Sequence, residues 1–313
     1  MSRKQCVLAV VIGIACLATL AVWVDAGKPP RPPQVPADPH IAFHTVREIL
    51  VCNEDGQRLT TVYSAGRTGF AGHPSLSPAL DAVVFNELNL SQVIRVDFSV
   101  VNGDVVTGAP RVLYDGYGAA DNCGGPHWSP DGARIVVQCY DGDGHFHIGV
   151  MPADGVLPGE APVTAYTFAP GMTMGDHAIW NTAGDGVIFS TCVEGVAGSC
   201  VLEELWLDGD GYPIGEPVVI LSDPMFGDEI KNLSAAKTRN NVAFNSLGGG
   251  YILDLGTGAV TLAFAGSWPV WSPDDTQMLV VNRIHNHPRF QKVTLATGEI
   301  VTMDFGGNQP DWK

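Results

Sequence analysis

The sequence predicts an all-β chain folded as a six-bladed β-propeller. A motif built around Trp-Ser-Pro-Asp-Gly recurs roughly every 40–50 residues, which is the length of one propeller blade. Between the copies the apolar residues follow strand patterns, and glycine (37 residues) and proline (22 residues) are too abundant for a helical protein. The chain also begins with parts of a blade whose missing strand is found at its C-terminus, which predicts a closed ring.

The repeat is clearest in two segments that share a Pro-x-Trp-Ser-Pro-Asp core before an apolar stretch. Residues 126–137 read PHWSPDGARIVV and residues 269–280 read PVWSPDDTQMLV. Weaker copies occupy residues 74–85, 178–189 and 231–244, and the chain ends with the opening of another copy. One tryptophan or leucine in each copy can be taken as equivalent: Leu76, Trp128, Trp180, Leu233, Trp271 and Trp312.

Each copy predicts four strands. A short first strand ends at the aligned tryptophan or leucine, and the Ser-Pro-Asp-Gly turn leads into an apolar, β-branched second strand such as residues 134–138. Third strands such as 145–151 and fourth strands such as 218–221 follow, separated by repeated Asp-Gly turns. Residues 41–62 match the second, third and fourth strands alone. We therefore expect the first strand at residues 309–312 to join them, which closes the ring and removes its open edge.

The N-terminal segment predicts export. Arg3 and Lys4 precede an apolar run to Val24, and residues 24–26 (Val-Asp-Ala) resemble a signal-peptide cleavage site. Because the run approaches the ~20 residues that span a bilayer, an uncleaved anchor is the alternative. Both alternatives predict a periplasmic or secreted domain, and a Pro-rich stretch predicts an extended linker before it. The predicted division is a signal peptide or anchor at 1–26, a linker at 27–40 and a propeller at 41–313.

The spacing of the cysteines predicts two disulfides. Cys192 and Cys200 are equidistant from Val196, the middle residue of a Glu-Gly-Val-Ala-Gly turn, and Cys123 and Cys139 lie almost symmetrically about a Pro-Asp-Gly turn. Residues that oppose each other on neighbouring strands lie at distances suited to a disulfide, and an exported protein keeps such bonds oxidised. Two buried thiols in each hairpin are the alternative. Cys52 has no predicted partner.

The charge of the chain limits its partners. With 17 Lys and Arg against 33 Asp and Glu, the formal net charge is −16. Such a surface repels the phosphates of nucleic acid and of anionic lipid headgroups. We expect a monomer that binds an envelope protein or a glycan, does not bind nucleic acid, and meets the membrane only through an N-terminal anchor.

The repeat resembles that of the TolB-like six-bladed β-propeller family, in which an x-P-x-W-S-P-D-G segment precedes an apolar strand. The resemblance is strongest in residues 126–137 and 269–280 and weakest in 231–244, where the tryptophan and the Pro-Asp-Gly are both missing. It implies the propeller fold. Residues 27–40 are too few for the N-terminal α/β domain through which TolB binds partners, so we expect no TolB-specific role.

Histidines mark a candidate binding site at one mouth of the central channel. Side chains three residues before each aligned tryptophan or leucine should ring this mouth, and these positions hold His73, Gly125, His177, Ile230, Trp268 and Gln309. Asp176 precedes one of these histidines, and His285 and His287 follow a second strand on the same side. Trp268 is the tryptophan best placed to stack on a ligand, whereas the aligned tryptophans are expected to pack between blades.

A second resemblance raises the possibility of a metal. Oligogalacturonate lyases are similar six-bladed propellers that hold manganese with histidines and a glutamine at such a mouth. The resemblance implies a metal site formed by His73, His177, His285, His287 and Gln309, without a motif that aligns residue by residue. The alternative is a wet channel lined by polar side chains, with no cofactor. Calcium is a weaker candidate, because the Asp-Gly-Asp-Gly loops at 141–144 and 208–211 lack the full spacing of a calcium loop.

The sequence therefore predicts an exported propeller that acts as a protein- or ligand-binding or scaffold module at the cell envelope. The alternative is a metal-dependent polysaccharide lyase or hydrolase with a histidine-lined site at the channel mouth. The sequence shows no G-x-S-x-G nucleophile elbow and no glycine-rich loop that leads into a helix, so it assigns no catalytic residue.

Overall fold

The computed structural model describes residues 40–87, 91–116, 122–175, 177–226 and 229–313. Within these ranges the regular secondary structure is β-strand, apart from one short 3₁₀ turn at Pro224–Phe226. In this part of the chain no helix is both long and apolar enough to cross a membrane. The predicted signal peptide or anchor lies outside the described residues, as do all but the last residue of the predicted linker and the site candidate Asp176.

Six antiparallel sheets form the six blades, as the repeat predicts. The first blade combines β1 (Ile41–His44), β2 (Glu48–Cys52) and β3 (Thr60–Ser64) with the last strand, β26 (Asn308–Trp312). The second contains β4 (Ala71–Leu76), β5 (Ala82–Glu87), β6 (Gln92–Val101), β7 (Asp104–Thr107) and β8 (Arg111–Asp115). The third contains β9 (Asn122–Trp128), β10 (Arg134–Tyr140), β11 (Phe146–Pro152) and β12 (Val163–Thr167).

The remaining three blades follow in chain order. The fourth contains β13 (Met172–Met174), β14 (Ile179–Trp180), β15 (Gly186–Val193), β16 (Val201–Trp206) and β17 (Val218–Leu221). The fifth contains β18 (Lys231–Ala235), β19 (Asn241–Ser246), β20 (Gly249–Asp254) and β21 (Val260–Phe264). The sixth contains β22 (Ser267–Trp271), β23 (Gln277–Ile284), β24 (His287–Thr294) and β25 (Ile300–Thr302).

The two ends of the described chain close the ring in the predicted way. Strand β26 pairs antiparallel with β1, which places Trp312 opposite Ile41. The backbone N–H of Lys313 then donates to the carbonyl of His40 at 2.9 Å, and the His40 Nδ1 lies 2.9 Å from the Lys313 carbonyl oxygen. The first blade is thereby completed from both ends, and its inner edge is paired.

The hydrophobic core lies between neighbouring blades. One apolar cluster joins Ile49 of the first blade to Leu76 and Phe85 of the second. Three of the four aligned tryptophans tie the blades together through their indole N–H groups, each of which donates to a backbone carbonyl of the preceding blade. The pairs are Trp128 with Ser75 at 3.1 Å, Trp180 with His127 at 3.0 Å and Trp271 with Ser234 at 3.0 Å. These tryptophans therefore pack between blades, as expected.

Both predicted disulfides are present. Cys123 of β9 lies directly opposite Cys139 of β10, and Cys192 and Cys200 are joined across the hairpin between β15 and β16. Cys52 is a buried free thiol, and its burial raises the pKa to about 12, so the thiol stays protonated and poorly reactive.

The alignment of the fifth blade needs a correction. Ala235 pairs with Val242 in the way that Trp271 pairs with Met278, so Ala235, and not Leu233, is the residue equivalent to the tryptophans. The inner position three residues earlier is therefore Asn232 and not Ile230. A shift of two residues keeps the same face of a strand pointing inward. For that reason the alternation of apolar residues could not reveal the error.

Candidate functional site

The inner strands bend at the positions that the sequence assigns to the channel mouth. In β4 the pairing with β5 shifts register between Gly72 and Ser75, and the residue in the bulge, His73, has a φ of 52°. This left-handed backbone region favours glycine, so other residues occupy it at a cost and with their side chains re-aimed. Four other inner strands repeat the feature: Gly125 (φ 58°), Asn232 (φ 54°), Trp268 (φ 54°) and Gln309 (φ 47°).

Four of the predicted site residues meet at this level of the channel. The His177 ring stacks on Trp268 with 5.8 Å between ring centroids and 5° between planes. The His73 ring stands edge-on to both, at 5.2 Å from His177 and 5.9 Å from Trp268. With Gln309 these residues form what we call the ring layer. The three rings contact one another across the channel and so are packed together at this level.

Gln309 and His73 are engaged with each other. The Gln309 Oε1 accepts the backbone N–H of His73 at 2.9 Å, which fixes the orientation of the amide. The Gln309 Nε2 then donates to the His73 Nε2 at 3.0 Å, so that ring nitrogen serves as the acceptor. On the other side of the layer, His127 stacks on His177 at 4.7 Å. Burial, reinforced by neighbouring histidines and lysines, holds the pKa of His127 well below its usual value, so it is neutral at pH 7.

His285 and His287 do not belong to this cluster. His285 (φ 51°) and Asn286 (φ 66°) form the two-residue turn of the β23–β24 hairpin, and both histidines are exposed. The sequence placed them at the mouth because this hairpin turns on the same side of the blade as the start of the inner strand. The hairpin lies farther out in the sheet, and a two-residue turn selects residues that tolerate positive φ. Their place is explained by turn geometry.

The ring layer does not fit the predicted manganese site. Among the described residues, no group of three or more His, Cys, Asp or Glu side chains is arranged to hold a metal ion. Two of the proposed ligands lie on the hairpin, and the His73 nitrogen that faces Gln309 already accepts a hydrogen bond. A metal at that nitrogen would have to displace the Gln309 amide.

Behind the ring layer the channel widens into a cavity of about 330 Å³. Apolar side chains such as Ile179 and Val270 form part of its wall, and its far end reaches the turns that follow the inner strands, with Pro78, Pro130 and Pro273 among the lining residues. Because proline fixes its own φ, this end is framed by stiff turns. The cavity therefore extends toward the face of the propeller opposite the predicted mouth.

Two lysines that the sequence analysis did not single out line this cavity, together with the carboxylate of Asp311. Asp311 is buried and its Oδ2 accepts the backbone N–H of Leu76 at 2.7 Å. Lys237 and Lys313 lie beside each other. Burial, followed by the positive charge of Lys313, lowers the pKa of Lys237 to about 7, although Asp311 and Asp275 act in the opposite direction. The cavity is thus lined by two lysines and one aspartate in a protein whose net charge is −16.

The turn that carries Lys237 is fixed by one carboxylate. Asp275 is fully buried, and it accepts the backbone N–H groups of Lys237 at 2.8 Å, Thr238 at 2.7 Å and Arg239 at 3.1 Å. It also accepts the Thr238 hydroxyl at 2.6 Å. Asp275 has a φ of 56° at the position where two other blades have glycine. Four hydrogen bonds explain why a strained aspartate is found there.

The sequence matches no family model and no curated protein. Its similarity to solved structures is clear. TolB from Acinetobacter baumannii superposes with a TM-score of 0.63 at 14% identity, over 89% of this chain and 67% of that one. A putative TolB from Agrobacterium tumefaciens gives 0.59 at 17% identity, over 86% and 90%. This is a TolB-like six-bladed β-propeller fold. An oligogalacturonate lyase in complex with manganese gives 0.54 at 13% identity, over 80% and 72%. Identities this low show the fold alone.

In this TolB-like propeller, the sequence predicted that the site residues converge on the channel, but it did not predict what their side chains contact. His73, His177, Trp268 and Gln309 come together as expected, yet they contact one another. Signals for the lysine end were present in the sequence: the turn at 273–275 reads Pro-Asp-Asp where a glycine was expected, and Lys237 follows the degenerate first strand of the fifth blade. Neither signal identifies a site without the geometry.

Proposed function

We propose that this protein is an exported, non-catalytic binding propeller whose ligand occupies the cavity behind the ring layer. The cavity itself is the observation that carries the proposal. Its volume of about 330 Å³ lies within the range of small-molecule sites. It also combines apolar walls with a few converging polar groups, which is the usual composition of such sites. The two disulfides support a location in an oxidising compartment outside the cytoplasm.

The rigidity of the cavity supports binding. Stacked aromatic rings line one end of the cavity, proline-containing turns frame the other, and Asp275 holds the Lys237 turn with four hydrogen bonds. A site whose walls are already ordered loses little conformational entropy when a ligand enters. A small ligand can therefore bind this cavity without a large rearrangement of the blades.

The geometry favours binding over the polysaccharide lyase or hydrolase alternative. A metal-dependent lyase would need ligands that converge on an ion, whereas His73 is hydrogen-bonded to Gln309 and His285 lies on an exposed hairpin. Likeness to the lyase rests on the propeller fold, and one fold hosts many functions. We therefore carry the binding function forward as the proposal.

The proposal can be tested by filling the cavity. Ser234 lines it, so Ser234→Phe adds a phenyl ring to its wall. The immobilised wild type and variant would be incubated with a small-molecule extract of the envelope of the source organism, washed and denatured, and the released compounds identified by mass spectrometry. We expect compounds that are enriched on the wild type and lost on Ser234→Phe.

A matched control guards against loss of the fold. Ser99 is exposed on β6 of another blade, so Ser99→Phe adds the same ring away from the channel and should retain the compounds. Circular dichroism and the melting temperature verify that both variants are folded. If no compound distinguishes the wild type from folded Ser234→Phe, the cavity is not the binding site and the proposal fails.

A further inference from the structure

We propose that the cavity binds a monocarboxylate, whose carboxylate group accepts hydrogen bonds from the amines of Lys237 and Lys313 and whose apolar body points toward the ring layer. This inference rests on the proposed function and adds to it the chemical class of the ligand. Its basis is the placement of two lysines beside each other in one cavity with apolar walls.

The backbones of both lysines are held in place. Lys237 belongs to the turn that Asp275 fixes through four hydrogen bonds. Lys313 follows β26, and its backbone N–H and carbonyl both pair with His40. The two side chains therefore meet because separate blades direct them to the same place. Two amines that are partly removed from water repel each other when both are protonated, and an anion that contacts both of them relieves that repulsion.

The charge of the lining selects a monoanion. Lys237 and Lys313 supply two positive groups, and Asp311 is the carboxylate that lines the same cavity. Asp275 accepts four hydrogen bonds from the neighbouring turn, so its oxygens are already engaged. When both amines are protonated they outnumber the Asp311 carboxylate by one charge, and a bound anion favours that state because it raises the pKa of Lys237. A carboxylate matches this excess of one charge, whereas a doubly charged phosphate would bring an additional negative charge close to Asp311.

The wall of the cavity suits an apolar body. Ile179, Leu233 and Val270 line it, with the edges of Trp128 and Trp180. A ligand that enters with its apolar end first can bury that end against these side chains and leave its carboxylate at the lysines. This chemistry could come from a free aromatic or aliphatic acid or from the C-terminal residue of a peptide, and the test distinguishes these sources.

Calorimetric titration of the purified protein with benzoate and with benzamide tests the proposal. The two probes have nearly the same shape, and only benzoate carries a negative charge. We expect benzoate to bind at least about tenfold more tightly, because a charge-assisted hydrogen bond contributes about 1.5–3 kcal/mol. Lys237→Met and Lys313→Met should each weaken benzoate binding by about tenfold or more. Lys231→Met, which removes an exposed lysine of the same blade, should leave it unchanged.

A second measurement keeps the test valid if a lysine variant does not fold. In the wild type, benzoate but not benzamide should protect Lys237 from acylation by an amine-reactive reagent, as read by peptide mass spectrometry. N-acetylphenylalanine and its amide serve as probes for a peptide C-terminus, in the same titration. If the acid alone binds and does so more tightly than benzoate, the source is a peptide terminus, whereas tighter binding of benzoate indicates a free acid.

Three results would overturn the inference: benzamide binding as tightly as benzoate, inorganic phosphate binding more tightly than every carboxylate, or no carboxylate binding up to about 10 mM, a very weak affinity. These failures are distinct from failure of the proposed function. If the compounds that are enriched on the wild type and lost on Ser234→Phe carry no carboxylate, the cavity remains the binding site and only the ligand class is wrong.

Discussion

The polar side chains at the two ends of the central channel differ in what they contact. In the ring layer, the rings of His73, His177 and Trp268 pack against one another, and Gln309 is hydrogen-bonded to the His73 ring. At the lysine end, Lys237 and Lys313 line an open cavity together with Asp311. The ring layer therefore packs as part of the core, whereas the lysine end leaves room for a ligand. Convergence of histidines on an axis is thus not by itself a sign of a ligand site.

The largest effect should come from removing the centre of the ring layer. His177 is buried and its ring lies between Trp268 and His127, so His177→Ala leaves a cavity between two aromatic rings. We expect the free energy of unfolding in urea to fall by about 3 kcal/mol, as for other large buried side chains. His287→Ala, at the exposed hairpin, should change it by less than about 0.5 kcal/mol. Equal losses in the two variants would show that the ring layer is not packed as described.

The second effect concerns the support of the lysine end. Asp275→Asn keeps the size of the side chain but replaces one acceptor oxygen by an NH₂ group, which would face the backbone N–H groups that Asp275 now binds. We expect a loss of about 2 kcal/mol in the free energy of unfolding and weaker benzoate binding, since the Lys237 turn is released. Asp104→Asn, at an exposed position on β7 of another blade, is the matched control. A stable Asp275→Asn variant with unchanged benzoate affinity would refute this positioning role.

The third effect is a pH dependence. The pKa of Lys237 is about 7 in the folded protein and about 10.5 in the unfolded chain. Between these values the unfolded state binds more protons, so the free energy of unfolding rises with pH from about 7 upward. Below pH 7 the folded state bears the full cost of holding the Lys237 amine protonated in the cavity. Solvent screening reduces this cost to about 1 kcal/mol.

The variant Lys237→Met isolates this effect. It should be more stable than the wild type at pH 6, and its advantage should disappear toward pH 9.5, as measured by urea unfolding at each pH. Charged groups next to Lys237, namely Lys313, Asp311 and Asp275, remain in the variant and cancel in the comparison. Lys231→Met should show no such trend. An advantage that does not depend on pH would mean that Lys237 titrates normally.

The smallest effect should come from treating the protein with a metal chelator. Because the ring layer does not fit a metal site, elemental analysis of the purified protein should find no stoichiometric manganese, zinc or calcium, and a chelator should leave its melting temperature unchanged. Stoichiometric metal that is lost in the double variant His73→Ala/His177→Ala would contradict this and revive the lyase alternative.

The sequence predicted those features that depend on local pattern and on the repeat. Strand alternation, turn chemistry and the split first blade gave six blades and their closure. The position of Cys123 opposite Cys139 followed from the symmetry of a hairpin. Each of these rests on spacing within one or two strands, which the order of residues records directly.

The sequence could not predict what depends on the distance between blades. Leu233 was misaligned because a shift of two residues preserves the inward face. His285 was assigned to the mouth because the side of a blade is visible in the sequence, whereas the distance from the channel axis is not. Lys237 and Lys313 are 76 residues apart in a chain of 313, and only ring closure brings them together. The lysine end therefore appears only in three dimensions.

A crystal structure of the wild type soaked with benzoate tests the central claim most directly. The account predicts density for benzoate in the cavity, with its carboxylate in contact with the amines of Lys237 and Lys313 and its ring toward Val270, while the stacked rings of His177 and Trp268 do not move. Benzoate bound instead between the opened rings of His73, His177 and Trp268, or an empty cavity at saturating benzoate, would contradict it.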